Sequence, residues 1–177
     1  MHATLVYLEN GTLRIRPMRS EDILDLSEGF RKQGWHKPAE QYATYLREQE
    51  AGTFRVIVAE VDGHAVGYAI LAPQADHGPY AGKGYPEIRD FNVLIPFQGK
   101  GIGGRLMEVL EQLAAETSPV VTLGVGLHGG YGSAQRMYVK RGFVPDGSGI
   151  WYRDAPLPQE APCHNDDDLV LYLSKAL

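Results

Sequence analysis

Polar and apolar residues alternate over residues 12–17, where Leu13 and Ile15 sit between Thr12, Arg14 and Arg16, and this predicts a first strand. The period then lengthens. Ser20 is placed as a helix N-cap, Glu21 and Asp22 suit the positive end of a helix dipole, and Ile23, Leu24, Leu26 and Phe30 form a helical stripe that Gly34 ends. Pro38 opens a second helix over 38–50, with Tyr42, Tyr45 and Leu46 at helical spacing. Two strand patterns follow, over 55–61 and 64–71, joined by the two-residue hairpin signal Asp62-Gly63.

Residues 73–86 hold Gly78, Pro79, Gly82, Gly84 and Pro86 and read as a long surface loop. A strand over 87–95 comes next, with Glu87, Arg89, Phe91 and Val93 on one face and Ile88, Asp90, Asn92 and Leu94 on the other. Ile102, Leu106, Val109, Leu110, Leu113 and Ala114 mark an amphipathic helix running to about Thr117. A buried strand over 120–125, a helix over 134–141 capped by Ser133 and stopped by Gly142, and short strands near 143, 150–153 and 169–173 complete the pattern. This order is mixed α/β, and its hairpins require a partly antiparallel sheet.

Composition narrows the function classes. A chain of 177 residues with 44% hydrophobic and 22% charged residues is long enough for one domain, expected over 1–177, with its own core. Lys+Arg 17 against Asp+Glu 22 gives a formal charge of −5, which argues against nucleic acid or an anionic membrane as a general partner. Cys163 is the single cysteine, so no internal disulfide or multi-cysteine metal centre is available. His77, His128 and His164 have no metal-ligand spacing with one another or with Cys163, so no metal is expected. No apolar run is long enough to span a bilayer and no secretion signal stands at the start, so a cytoplasmic protein is expected.

The most informative segment is Gln98-Gly99-Lys100-Gly101-Ile102-Gly103-Gly104, between a strand and a long helix. So many glycines open a helix poorly unless the backbone must be approached closely. Without Cβ atoms, successive N–H groups can converge on phosphate oxygens at the positive end of the helix, with Lys100 adding charge. The other reading is a tight strand-to-helix connection, for which fewer glycines suffice. No Gly-Lys pair here is followed by Ser or Thr, so a nucleoside-triphosphate loop is absent, and the glycine spacing and late position do not suit a dinucleotide fold.

Gln98, Gly101 and Gly103 match the Gln/Arg-x-x-Gly-x-Gly/Ala signature of the GNAT superfamily of acyl-CoA-dependent N-acyltransferases, and Phe91 to Phe97 resembles the strand and turn that lead into it. Ala134, Tyr138, Gly142 and Phe143 resemble the second family block, a helix followed by Tyr-x-x-x-Gly-Phe. The resemblance covers about residues 12–175. It implies a central, mostly antiparallel, splayed sheet of roughly six to seven strands with about four helices. It further implies acetyl-CoA as cosubstrate, an amine-bearing acceptor and, by family analogy alone, a homodimer.

The same resemblance assigns roles. The pyrophosphate is expected on Gln98, Gly99, Lys100, Gly101, Ile102, Gly103 and Gly104, and the pantetheine arm along Val93, Leu94 and Ile95, with the Val93 N–H polarising the thioester carbonyl. Tyr138 is expected to protonate the departing thiolate. Glu87, eleven residues before Gln98, stands where histone-acetylating relatives carry their base. Asp90 and ordered water remain alternatives for that role. Tyr131 stands where family members often carry Asn, and Ser133 is the nearby hydroxyl that could replace its cofactor contact. The function implied is acetyl transfer to a primary amine by direct attack in a ternary complex. A non-catalytic acyl-CoA-binding or sensing module is the alternative. The Asp166-Asp167-Asp168 run is either a solvated turn or an attractor of cationic substrate.

Overall fold

The computed structural model describes residues 5–177. Nine strands and four α-helices form among the described residues, in a mixed α/β arrangement whose registered strand pairs are antiparallel with one exception. The chain divides into two compact units. One is the described part of Met1–Ala72 with Arg89–Leu113; the other is Pro73–Ile88 with Ala114–Leu177.

In the first unit, β1 (Leu8–Asn10), β2 (Leu13–Pro17), β3 (Arg55–Val61) and β4 (His64–Ala72) are successive antiparallel neighbours, with Leu8 opposite Ile15, Ile15 opposite Ala59 and Val58 opposite Tyr68. The turn between β3 and β4 has Asp62 at φ 50 and Gly63 at φ 84, as a two-residue hairpin requires. The unit also holds α1 (Asp22–Lys32), α2 (Ala39–Glu50), residues 89–93 of β5 (Glu87–Val93) and α3 (Ile102–Ala115) as far as Leu113. Met18, Leu26, Phe30, Tyr42, Val56, Val58, Tyr68, Ile70 and Leu94 form its core. Arg16 is buried beside it. Its guanidinium makes a bidentate pair with Asp22 at 2.7 and 2.8 Å and reaches Glu60 at 2.6 Å. Asp22 therefore closes a buried ion cluster, and also accepts the Arg19 N–H at 2.8 Å. The expected Ser20 cap does not form: Glu21 is the N-cap residue, in helical conformation, and makes no side-chain cap.

In the second unit, residues 87–88 of β5 run parallel to β6 (Val120–Gly126), with Glu87 opposite Thr122 and Ile88 opposite Leu123. β6 pairs antiparallel with β9 (Leu169–Ala176), β9 with β7 (Val144–Tyr152), and β7 with β8 (Ala155–Pro156). α4 (Gly132–Lys140) follows β6. The loop over 73–86 is tied down rather than purely superficial, because Tyr80 is buried with Ala75 and Tyr172.

The strand count corrects the expectation of six to seven. β1 has three residues and β8 two, too few for a period to show. The turn into β8 places Arg153 and Asp154 at φ 50 and 61, without glycine to announce it. Two expected short strands are one, β7, interrupted by a bulge between Pro145 and Ile150. No helix among the described residues is long and apolar enough to cross a membrane.

Candidate active site

The exposed turn after β5 is built by its backbone. A 3-10 turn over Ile95–Phe97 carries the chain off the strand, and the Gln98 side chain ties back by donating to the Val93 carbonyl at 2.8 Å. Gly99 and Gly101 have φ 72 and 81, a left-handed conformation that favours glycine. A Cβ on Gly99, Gly101 or Gly104 would meet no atom within 4 Å. Gly104 lies inside α3 at ordinary φ, so neither crowding nor dihedral strain within the protein calls for glycine there.

α3 has no acidic residue in its first turn, whereas α1 has Asp22 and Asp25 and α2 has Glu40. The positive end of α3 is thus left without a neutralising carboxylate in that turn. Lys100 lies over the Phe97 ring at 5.3 Å, and Arg105 pairs with Glu108 at 2.9 Å. An open glycine cradle at a helix N-terminus, with a lysine on its rim, fits a phosphate group.

Val93 and Leu94 are buried and Ile95 is exposed. The Leu94 N–H donates to Val66 O at 2.9 Å and the Ile95 N–H to Gln33 Oε1 at 3.0 Å, so both have partners within the protein.

Asp90 lies within β5 at φ 45, a conformation that costs a non-glycine residue of order 1–3 kcal/mol. Its carboxylate is held on both oxygens. Oδ1 accepts from Lys37 Nζ at 2.7 Å and Asn92 Nδ2 at 2.8 Å; Oδ2 accepts from the Tyr45 and Tyr68 hydroxyls at 2.9 and 2.5 Å. The Tyr68 and Tyr45 hydroxyls are pushed above their ordinary pKa, first by burial and next by the Asp90 charge, which favours the neutral donor form. Sequence reasoning named Asp90, Tyr42 and Tyr45 but missed Lys37. A lysine before a proline gives no sign of a partner on a distant strand.

The second unit carries the remaining named residues. Glu87 is buried at the start of β5. Tyr138 is buried in α4 with its ring 5.8 Å from Phe143, and burial, followed by the neighbouring Tyr131, pushes its hydroxyl well above the usual phenol range. Ser133 is exposed and lies within the first turn of α4, while Tyr131 is the N-cap residue. Tyr131 donates to Asp167 at 2.9 Å, and His128 Nε2 meets the same oxygen at 3.0 Å. His128 Nδ1 accepts the Gly130 N–H, which leaves Nε2 as the donor to Asp167. The aspartate run therefore has partners within the fold: Asp166 accepts the Asp168 N–H at 3.1 Å, and Asp168 lies 3.7 Å from Arg153. Among the described residues no group of three His, Cys, Asp or Glu side chains gathers to hold a metal ion.

The family model for the Acetyltransferase (GNAT) family matches residues 20–143, which spans α1, the glycine turn and Tyr138. The chain belongs to the GNAT family. This GNAT protein is an acetyltransferase with acetyl-CoA as acyl donor. Its fold is similar to ribosomal-protein-alanine N-acetyltransferase from Brucella melitensis, with TM-score 0.67 and 23% identity over 92% of this chain and 99% of that one. It is also similar to yncA, a putative acetyltransferase from Salmonella typhimurium solved with acetyl-CoA, with TM-score 0.67 and 19% identity over 94% of each chain. A third is the Salmonella typhimurium acetyl transferase that modifies the N-terminal serine of ribosomal protein L7/L12, with TM-score 0.72 and 12% identity over 98% of this chain and 99% of that one. No curated protein sequence matches this GNAT protein significantly.

Proposed function

We propose that this GNAT protein transfers the acetyl group of acetyl-CoA directly to a primary amine, both substrates being bound together. The observation that carries the reading is the open glycine turn, where even Gly104 leaves space that the protein does not fill. The backbone N–H groups of Ile102 and Gly103 lie in the first turn of α3, where helix geometry provides no partner for them, and they would hold the pyrophosphate with Lys100 at the rim. Val93 supplies the N–H for the thioester carbonyl, since those of Leu94 and Ile95 are engaged.

The amine nitrogen forms the new C–N bond as the C–S bond breaks. Tyr138, kept neutral by burial, donates its proton to the thiolate. The amine proton goes to Glu87 or to water that Glu87 orders. Asp90 is unsuited to that task because four donors already occupy its oxygens.

Calorimetry with acetyl-CoA, followed by thiol release over a panel of amines, tests the reading. Tyr138→Phe is expected to lower kcat roughly 100-fold with little change in KM for acetyl-CoA. Tight acetyl-CoA binding with no turnover on any amine would instead identify a sensing module.

A further inference from the structure

Lys37 lies in the connection between α1 and α2, and its ammonium is enclosed by groups that suit a cation. Nζ is 2.7 Å from Asp90 Oδ1 and 3.0 Å from the Tyr68 hydroxyl. It also lies over the Phe30 ring, 5.8 Å from its centroid. A carboxylate, a hydroxyl oxygen and an aromatic face are the chemistry that holds alkylammonium ions.

The box does not depend on Lys37 for its shape. Tyr45, Tyr68 and Asn92 orient the Asp90 carboxylate from α2, β4 and β5. Tyr42, fully buried, packs edge-on against Tyr45 and Tyr68, and its hydroxyl has no hydrogen-bond partner of good geometry. Lys37 alone of these groups comes from a connecting segment, so it is the member that can leave. The Lys37 and Asp90 side chains are 18% and 23% exposed, so the box reaches solvent.

We propose that this box is an alkylammonium-binding site, filled by Lys37 in the free protein, whose ligand is the second ammonium of a diamine or polyamine acceptor. The proposal rests on the acetyltransferase reading above and deepens it. Asp90 and Val93 are three residues apart on β5, at most about 10 Å of strand, the scale of an extended aliphatic diamine. One amine displaces Lys37 and stays charged. The other, uncharged, forms the C–N bond while the C–S bond breaks; the thiolate leaves with the electron pair and takes the Tyr138 proton, and the amine proton passes to Glu87 or water. The chain's formal charge of −5 favours such an acceptor over an anionic one.

Two measurements on the full chain test this. Lys37→Ala empties the box, so n-butylammonium chloride should raise its Tm by about 2–4 °C in a saturable manner, relative to sodium chloride at the same ionic strength. Wild type, whose box Lys37 fills, should respond only at higher concentration, and the Lys37→Ala, Asp90→Asn double variant should not respond. In thiol release, wild type should favour 1,5-diaminopentane over n-pentylamine by about tenfold in kcat/KM. Asp90→Asn should erase that preference, and Lys37→Ala should lower KM for the diamine. Should Lys37→Ala not fold, Lys37→Met keeps the aliphatic stem and is read by the same fall in KM. No response to butylammonium beyond that to sodium, equal use of the two amines, or a preference that survives Asp90→Asn overturns the proposal. So does acetyl-CoA binding without turnover of the diamine. Failure of acetyl-CoA itself to bind overturns the underlying acetyltransferase reading, and calorimetry reads that separately.

Discussion

Two sites on the first unit use opposite strategies. The turn over 99–104 is made of backbone, lies open, and leaves a helix N-terminus without an acidic residue in its first turn. The box around Asp90 is made of side chains from five segments, is largely enclosed, and has both carboxylate oxygens satisfied. The first, in the function proposed above, is completed by a ligand. The second is complete because the chain supplies its own cation. An anion site can thus be left open at little cost, since N–H dipoles at a helix end are solvated by water. A carboxylate pressed among tyrosines needs a counter-charge even when no substrate is present.

The sharpest way to break this contrast is Gly101→Val. At φ 81 a β-branched residue must move the backbone, and acetyl-CoA affinity by calorimetry should fall on the order of 100-fold. Retained affinity would remove the turn from the site. Next in size is Asp90→Ala, which strands the Lys37 ammonium and the two tyrosine hydroxyls. Chemical denaturation should show a loss of about 1–3 kcal/mol, while acetyl-CoA affinity stays near that of wild type. A parallel fall in affinity would show that the two sites are not independent.

Gly104→Ala is smaller and more discriminating. In an open helical position alanine should add about 1 kcal/mol to the stability of the free protein, yet weaken acetyl-CoA binding. Gains in both would mean that the space above the turn is not used. The weakest effect is alkaline. The tyrosines at 42, 45, 68 and 138 are all raised by burial, so the folded chain retains phenol protons that the unfolded chain releases near pH 10. The stability these tyrosines contribute should therefore be constant below about pH 10 and decline above it. In a pH titration of unfolding, Asp90→Ala should soften the decline, because the Asp90 charge helps raise Tyr45 and Tyr68.

Much of this molecule is legible wherever the signal is local. Asp62-Gly63 announces its hairpin because the turn itself demands positive φ, and the stripe from Ile102 to Ala114 announces α3 because burial follows the helical period. The family blocks around Gln98 and Tyr138 are likewise contiguous. β1 and β8 escape notice because so few residues carry no period, and the Ser20 cap does not form because the helix starts one residue later, with the Ser20 hydroxyl donating to Glu21 at 3.2 Å.

By itself, then, the sequence determined the longer elements, the glycine turn and the family, each a property of neighbouring residues and their backbone conformations. Tertiary structure alone decided that Asp90 would be saturated and that Lys37, 53 positions away, would be its partner. An ion pair is selected by distance in space and by the dielectric around it. Neither quantity exists along the chain until α1, α2, β4 and β5 have packed together.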